Sequence, residues 1–312
     1  MLLLHLSDVD EASWGEKLGA ALAPYKVVRR GDNFDPAAVR YVFAWKPRPE
    51  AFDGLTGLKA VLSLGAGVDG LLKHPRLPDV PIVRFVDADL SQRMSDYVVA
   101  HVTMHHRLYT RFRADQKARR WSQLYPPAAS ETTVGIMGMG VLGQDAAKRL
   151  LPLGFTLRSW SRTPKAIEGV EGFAGAEMFD AFLGGTDILV NLLPLTPDTA
   201  GILNYETFGK LRRGKLDGGP VIVNAARGGH QREADIVKAL GDGTLGAASL
   251  DVFETEPLPA TSPLWDIENC YVTPHIAAIS NEASGVKYFS QIIRDHEAGK
   301  PLINVVDRSR GY

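Results

Sequence analysis

Thr132-Thr133-Val134-Gly135-Ile136-Met137-Gly138-Met139-Gly140-Val141-Leu142-Gly143 is the stretch that decides the fold of this chain. Its first six residues are apolar and β-branched, the composition of a strand buried on both faces of a parallel sheet. Gln144 to Leu151 follows with helical spacing, and Pro152 and Gly154 close it. Phe155-Thr156-Leu157-Arg158-Ser159-Trp160 then supplies a second apolar run, which completes a βαβ unit of ordinary size. In that setting Gly138 permits the tight turn, Gly140 lets backbone approach a pyrophosphate, and Gly143 lets helix pack closely on strand. The helix N-terminus at Val141 and Leu142 offers N–H groups to the phosphates. A GxGxxG is weak by itself in a chain with 31 glycines. Its place between strand and helix separates it from a glycine-rich surface turn and predicts a dinucleotide site.

The end of the second strand selects the cofactor. A carboxylate about 20 residues beyond the fingerprint holds the ribose hydroxyls of NAD, but Ser161-Arg162-Thr163 stands there instead. Hydroxyls and a guanidinium can bond the 2′-phosphate that a carboxylate repels, which predicts NADPH, with Lys165 as additional charge. The alternative is that Arg162 stacks on the adenine while other groups hold the ribose.

Around this unit, the 312 residues suffice for two domains. The 45% hydrophobic content and formal net charge of −1 describe a globular protein without global attraction to nucleic acid or acidic membranes. Cys270 is the lone cysteine and forms no internal disulfide, which suits a reducing cytoplasm. Met1-Leu2-Leu3-Leu4 is soon followed by Asp8, Asp10 and Glu11, a first strand rather than a signal peptide. No apolar run approaches a membrane span.

Residues 1–95, joined by the tail 282–312, are expected to form a substrate domain, and residues 96–281 a Rossmann-type cofactor domain with its linking helix. The first contains candidate strands at Leu2–Leu6, Tyr25–Arg29, Tyr41–Trp45, Ala60–Leu64 and Ile82–Phe85, with helical segments between them, a flavodoxin-like α/β lobe. Its loop Ser63-Leu64-Gly65-Ala66-Gly67-Val68-Asp69 is either an anion-facing turn with exposed N–H groups or a plain tight turn. Asp96 to Arg120 reads as one long helix joining the lobes. Its basic face of Arg107, Arg111, Arg113, Lys117, Arg119 and Arg120 lacks the aromatic interleaving of a nucleic-acid surface. His101 and His105 share a face, but neither a third ligand nor an accompanying glutamate makes them a metal site.

Four further strand candidates, Ile188–Leu193, Val221–Ala225, Ala247–Val252 and Tyr271–Thr273, end in unusual residues: Pro194 and Pro197, Arg227-Gly228-Gly229, Glu256-Pro257, and Pro274-His275. Ligands of open parallel sheets bind beyond those ends. Arg227, Glu256 and His275 are thereby brought toward the edge carrying the cofactor, a set suited to carbonyl reduction. A histidine delivers the proton, a carboxylate orients its ring, and an arginine grips a substrate carboxylate by two parallel bonds. Each has a plainer reading: a surface ion pair for Arg227, a solvated acid for Glu256, a turn cap for His275. Asp251 either faces a nicotinamide amide or caps a turn.

The chain resembles the D-isomer-specific 2-hydroxyacid dehydrogenase family through GMGVLG at 138–143, NLLPLTPDTAGILN at 191–204, VNAARGG at 223–229, LDVFETEPLP at 250–259 and TPHIAA at 273–278, with SLGAGVD at 63–69 in the first lobe. The resemblance implies that Arg227, Glu256 and His275 are catalytic and that Leu193, Pro194, Ala225, Ala226, Asp251 and Ala277 line the cofactor. Ser161-Arg162-Thr163 after Trp160, FAWKP at 43–47 and VDRSRGY at 306–312 are similar to the family's bacterial NADPH-dependent glyoxylate/hydroxypyruvate reductases. This implies reduction of small 2-oxo acids by a homodimer, with Gly65, Ala66 and Gly67 and Arg227 on the substrate carboxylate. Trp45 either closes the pocket or is a core indole at a strand end. The rival readings are a non-catalytic NAD(P)-sensing protein of the same fold and a dehydrogenase of a bulkier 2-hydroxy acid.

Overall fold

The computed structural model describes residues 1–312, and its backbone divides into two compact units. One comprises Met1–Leu90 and Ser280–Tyr312, the other Ser91–Ile279. The chain crosses between them inside the helix Ala88–His106 and again after Ile279.

In the first unit β1 (Leu2–Leu6), β2 (Val27–Arg29), β3 (Tyr41–Trp45), β4 (Ala60–Ser63) and β5 (Ile82–Arg84) form a parallel sheet of order β2-β1-β3-β4-β5. Continuous apolar runs such as Leu2-Leu3-Leu4 are buried because helices cover both faces of such a sheet. The helices Glu11–Leu22 and Glu282–Glu297 pack together. Phe43, fully buried, lies between the rings of Trp14 and Phe289, with centroids at 5.2 and 4.5 Å. The tail returns to this sheet, where Val306 N–H donates to Ile82 O at 2.8 Å.

The second unit contains β6 (Thr133–Met137), β7 (Thr156–Ser161), β8 (Val170–Ala174), β9 (Ile188–Asn191), β10 (Val221–Asn224), β11 (Ala247–Leu250) and β12 (Cys270–Val272). They form a parallel sheet of order β12-β11-β10-β9-β6-β7-β8. From β6 the chain proceeds outward to β7 and β8, then returns to β9 on the other side, so the strand order reverses between β6 and β9. In open α/β sheets that reversal opens a crevice at the carboxyl ends of the strands. One face packs Val98, Val102, Ala146 and Leu150 against the sheet, and the other packs Phe182, Phe208 and Ile236.

Two expectations are corrected. The segment Asp96–Arg120 is not one helix: helices span Ala88–His106 and Tyr109–Lys117, and Leu108 between them has φ 59°. The first begins eight residues earlier than expected because the Asp87 carboxylate accepts the N–H groups of Asp89 and Leu90. Strand β8 carried no sequence signal, since Val170-Glu171-Gly172-Phe173-Ala174 lies at an edge and holds its place partly through Arg158 Nε to Glu171, 2.8 Å. No helix is long and apolar enough to cross a membrane.

Replacing Phe43 by Ala deletes the ring between Trp14 and Phe289 and should cost about 3 to 5 kcal/mol in urea unfolding. A loss below about 1 kcal/mol would show that this contact is not the centre of the first unit's packing.

Candidate active site

The carboxyl end of β6 meets the helix Val141–Leu150 through the glycine turn. Gly138 has φ 97°, and a Cβ there would stand 2.6 Å from Leu192 O. A Cβ on Gly143 would stand 2.0 Å from Gly138 O, so helix and turn approach as only glycine allows. Gly140 is exposed, and nothing lies within 4 Å of a Cβ built on it. The turn is therefore packed tight from behind and open in front, which fits a pyrophosphate against the N–H groups of Val141 and Leu142. Leu142 is half-buried and Val141 exposed.

Ser161 ends β7, and its hydroxyl donates to Thr163 O at 2.8 Å, which shapes the turn that carries the exposed Arg162 and Thr163. No carboxylate occurs between Ser161 and Lys165. Leu193, Ala225, Ala226 and Ala277 are buried and Pro194 is half-buried, all just beyond strand ends.

Arg227, Glu256 and His275 follow β10, β11 and β12. His275 Nδ1 lies 2.8 Å from Glu256 Oε2, and Glu256 Oε1 accepts the Phe253 N–H at 3.1 Å. Arg227 is half-buried, and its Nη1 donates to Ala226 O at 2.7 Å. Burial by itself pushes the Glu256 carboxyl up. The hydrogen bonds from His275 and Phe253, with the charges of His275 and Arg227, outweigh it and hold the group below its ordinary value. An ionised Glu256 only accepts hydrogen bonds, so His275 Nδ1 carries a proton and Nε2 is the ring atom left to exchange one.

Of the two readings of Asp251, the turn cap is the one its bonds display: the side chain anchors the histidine loop. Its carboxylate is 1% exposed. Oδ1 accepts the Thr273 hydroxyl at 2.6 Å and the Ile276 N–H at 2.9 Å, while Oδ2 accepts the Ala277 N–H at 2.9 Å. The Asp251 carbonyl takes the N–H of His275 at 2.7 Å. His275 has φ 56°, a left-handed conformation costing a non-glycine residue on the order of 1–3 kcal/mol, which these bonds offset. Tyr97 OH lies 2.9 Å from Thr273 Oγ1. Because Thr273 donates to Asp251, Tyr97 must donate to Thr273.

His101 Nδ1 and His105 Nε2 both bond Ser249 Oγ, at 2.7 and 2.8 Å. Burial lowers both ring pKa values, that of His105 to about 3. In the first unit the half-buried Trp45 packs its ring on Gly65, whose Cβ would stand 2.5 Å from Trp45 Cζ3, and Ala66 and Gly67 are half-buried. Sequence reading missed Asn191, Asn224 and Gln231, buried amides joined to one another beneath the arginine loop. Their signal was an apolar strand ending in asparagine twice over, Ile-Leu-Val-Asn at 188–191 and Val-Ile-Val-Asn at 221–224.

A dinucleotide cradle at the reversal of a parallel sheet, with arginine, glutamate and histidine on the following strand ends, defines a nicotinamide-dependent oxidoreductase. The profile of the D-isomer specific 2-hydroxyacid dehydrogenase NAD binding domain matches residues 99–277, and the chain belongs to that family. Glyoxylate/hydroxypyruvate reductase A of Yersinia enterocolitica is 43% identical over 290 residues, covering 91% of this chain and 90% of that protein. The structure of NADPH-dependent glyoxylate/hydroxypyruvate reductase from Sinorhizobium meliloti, in complex with NADP and sulfate, is 46% identical with a TM-score of 0.93. It covers 100% of this chain and 99% of that one. A probable 2-hydroxyacid dehydrogenase from Rhizobium etli, in complex with NADP, HEPES and L(+)-tartaric acid, is 45% identical with a TM-score of 0.93 over the same shares.

The lowered pKa of Glu256 sets a pH dependence. Its stabilising contribution is complete above the unfolded carboxyl value of about 4.3 and is lost as pH falls through the lower folded value. The melting-temperature gap between the unmodified protein and Glu256→Gln should therefore shrink on titration from about pH 7 to about pH 3. A gap independent of pH would contradict an ionised, bonded Glu256.

Proposed function

We propose that this protein reduces small 2-oxo acids, glyoxylate to glycolate and hydroxypyruvate to D-glycerate, with NADPH. The observation that carries this reading is the His275–Glu256 bond, 2.8 Å, in the same unit as Arg227 and the glycine cradle, in a chain alike over its full length to a reductase of these acids. When bound, NADPH supplies the hydride. His275 Nε2 delivers a proton to the substrate oxygen as negative charge develops there, and Glu256 keeps the ring oriented and favours its charged form. Arg227 bonds the substrate carboxylate through two parallel N–H groups and polarises the neighbouring carbonyl. Backbone of Gly138, Gly140, Val141, Leu142 and Gly143 receives the pyrophosphate, and Ser161, Arg162 and Thr163 receive the 2′-phosphate. In the first unit, Gly65 to Gly67 is the proposed anion-facing loop, with the Trp45 ring packed on it.

The protein is proposed to be a cytoplasmic homodimer, a setting that suits its free cysteine, Cys270. Support for a second copy comes from the segment after the helix Tyr109–Lys117. Trp121 and Tyr125 are 93% and 84% exposed, and Tyr109 adds a third aromatic ring. The start of this segment is fixed, since the buried Asp115 holds Arg120 at 2.7 Å from Nε and 2.6 Å from Nη2. Sedimentation should give a dimer that Trp121→Ala with Tyr125→Ala weakens; an unmodified monomer would refute the assembly.

His275→Ala and Arg227→Ala should fold and bind NADPH yet lose at least about 100-fold in turnover of glyoxylate, as expected for a removed general acid or anion clamp. Near-normal rates in either variant would refute the assignment. Arg162→Ala should weaken NADPH about 10-fold or more and leave NADH unchanged, the loss of a charge-assisted bond. A native preference for NADH would refute the cofactor reading.

A further inference from the structure

Asn191, Asn224 and Gln231 are 0%, 0% and 2% exposed, and their amides form one directed line across three strand ends. Asn191 Nδ2 donates to Asn224 Oδ1 at 3.0 Å. Asn224 Nδ2 donates to Gln231 Oε1 at 2.8 Å and to the carbonyl of Arg227 at 3.1 Å. Gln231 Nε2 donates to Val252 O at 2.9 Å. A backbone carbonyl only accepts, so Val252 forces Gln231 to turn its NH₂ toward it. Oε1 of Gln231 then faces Asn224, which must present its own NH₂, and the oxygen of Asn224 is left for Asn191. The carbonyls of Val252 and Arg227 and the N–H groups of Ala226 and Leu193 thus agree on one orientation for the three amides.

Each end of the line touches a loop with a job in the reaction. Asn191 Oδ1 accepts the Leu193 N–H at 3.2 Å, and Asn224 Oδ1 also accepts the Ala226 N–H at 3.2 Å. Val252 precedes Phe253, whose N–H holds Glu256. Gln231 is the only member that bonds both the Asn224 amide under Arg227 and the β11 loop that leads to Glu256. We infer that Gln231 is a positioning residue, fixing the Arg227 loop relative to the Glu256–His275 pair. The inference rests on the reductase reading above.

The backbone of Gln231 is held without its side chain. Leu203 N–H donates to His230 O at 2.8 Å, Arg232 N–H donates to Leu203 O at 3.0 Å, and Gln231 N–H donates to Gly228 O at 2.9 Å. Gln231→Met therefore keeps side-chain length and removes both the donor and the acceptor. Gln231→Asn, one methylene too short to reach both partners, serves should the Met variant not fold.

The experiment measures glyoxylate kcat/KM, the NADPH dissociation constant and the melting temperature for the unmodified protein, Gln231→Met, Arg227→Lys and the double variant. Gln231→Met should lose about 10- to 100-fold in kcat/KM with NADPH affinity within about twofold, because small displacements of reacting groups are costly to rate. The double variant should lose clearly less than the product of the single losses, since both changes act on the same clamp. A drop in melting temperature with kcat/KM unchanged, or losses that simply multiply, overturns the positioning role and leaves the reductase reading standing. An unmodified protein that does not turn over glyoxylate overturns both.

Discussion

The buried carboxylate of Asp251 is the constraint on which the reactive end of this protein depends. A charged group removed from water is tolerable only when its lone pairs are filled, and here the loop from Thr273 to Ala277 fills them. That requirement bends the backbone at His275 into the left-handed region and throws its ring toward Glu256. Just after β11 the chain runs from Asp251 through Val252 and Phe253, so one short stretch anchors the histidine loop, the glutamate and the end of the amide line. Tyr97 extends the arrangement to the helix Ala88–His106 with its hydroxyl proton direction already determined.

The parallel architecture was legible because its strands are unbroken apolar runs and its glycines stand at a strand-to-helix junction. The five strands of the first unit follow from apolar runs between turn signals, and the motifs of the second from the family resemblance. Edge strand β8 was not legible: only one of its five residues is buried and its pairing uses an ion pair, so it lacks the composition of a buried strand. The break at Leu108 was equally hidden, because a buried leucine in a left-handed conformation is a tertiary effect with no local turn chemistry.

At the site, residue types at strand ends led to Arg227, Glu256 and His275, since catalytic groups of parallel sheets collect there. Asp251 was legible as a residue of interest with two possible roles, and the sequence did not choose between them. A carboxylate after a strand looks the same in sequence whether it faces a ligand or captures the N–H groups of a neighbouring loop. Asn191, Asn224 and Gln231 are polar residues with no charge to announce them, and their line joins positions up to 61 apart, from the Asn191 side chain to the Val252 carbonyl. The comparison with NADP-bound relatives adds what neither periodicity nor geometry supplies, the class of reaction within a large family.

The central claim is that His275, held by Glu256, gives its Nε2 proton to a carbonyl whose carboxylate sits on Arg227. The most direct measurement is a crystal structure with NADP and oxamate bound. The account expects the oxamate carbonyl oxygen within about 2.6–3.2 Å of His275 Nε2 and the carboxylate on the Arg227 guanidinium. A complex in which the His275 ring points away from the ligand, or Glu256 is no longer bonded to Nδ1, would contradict it.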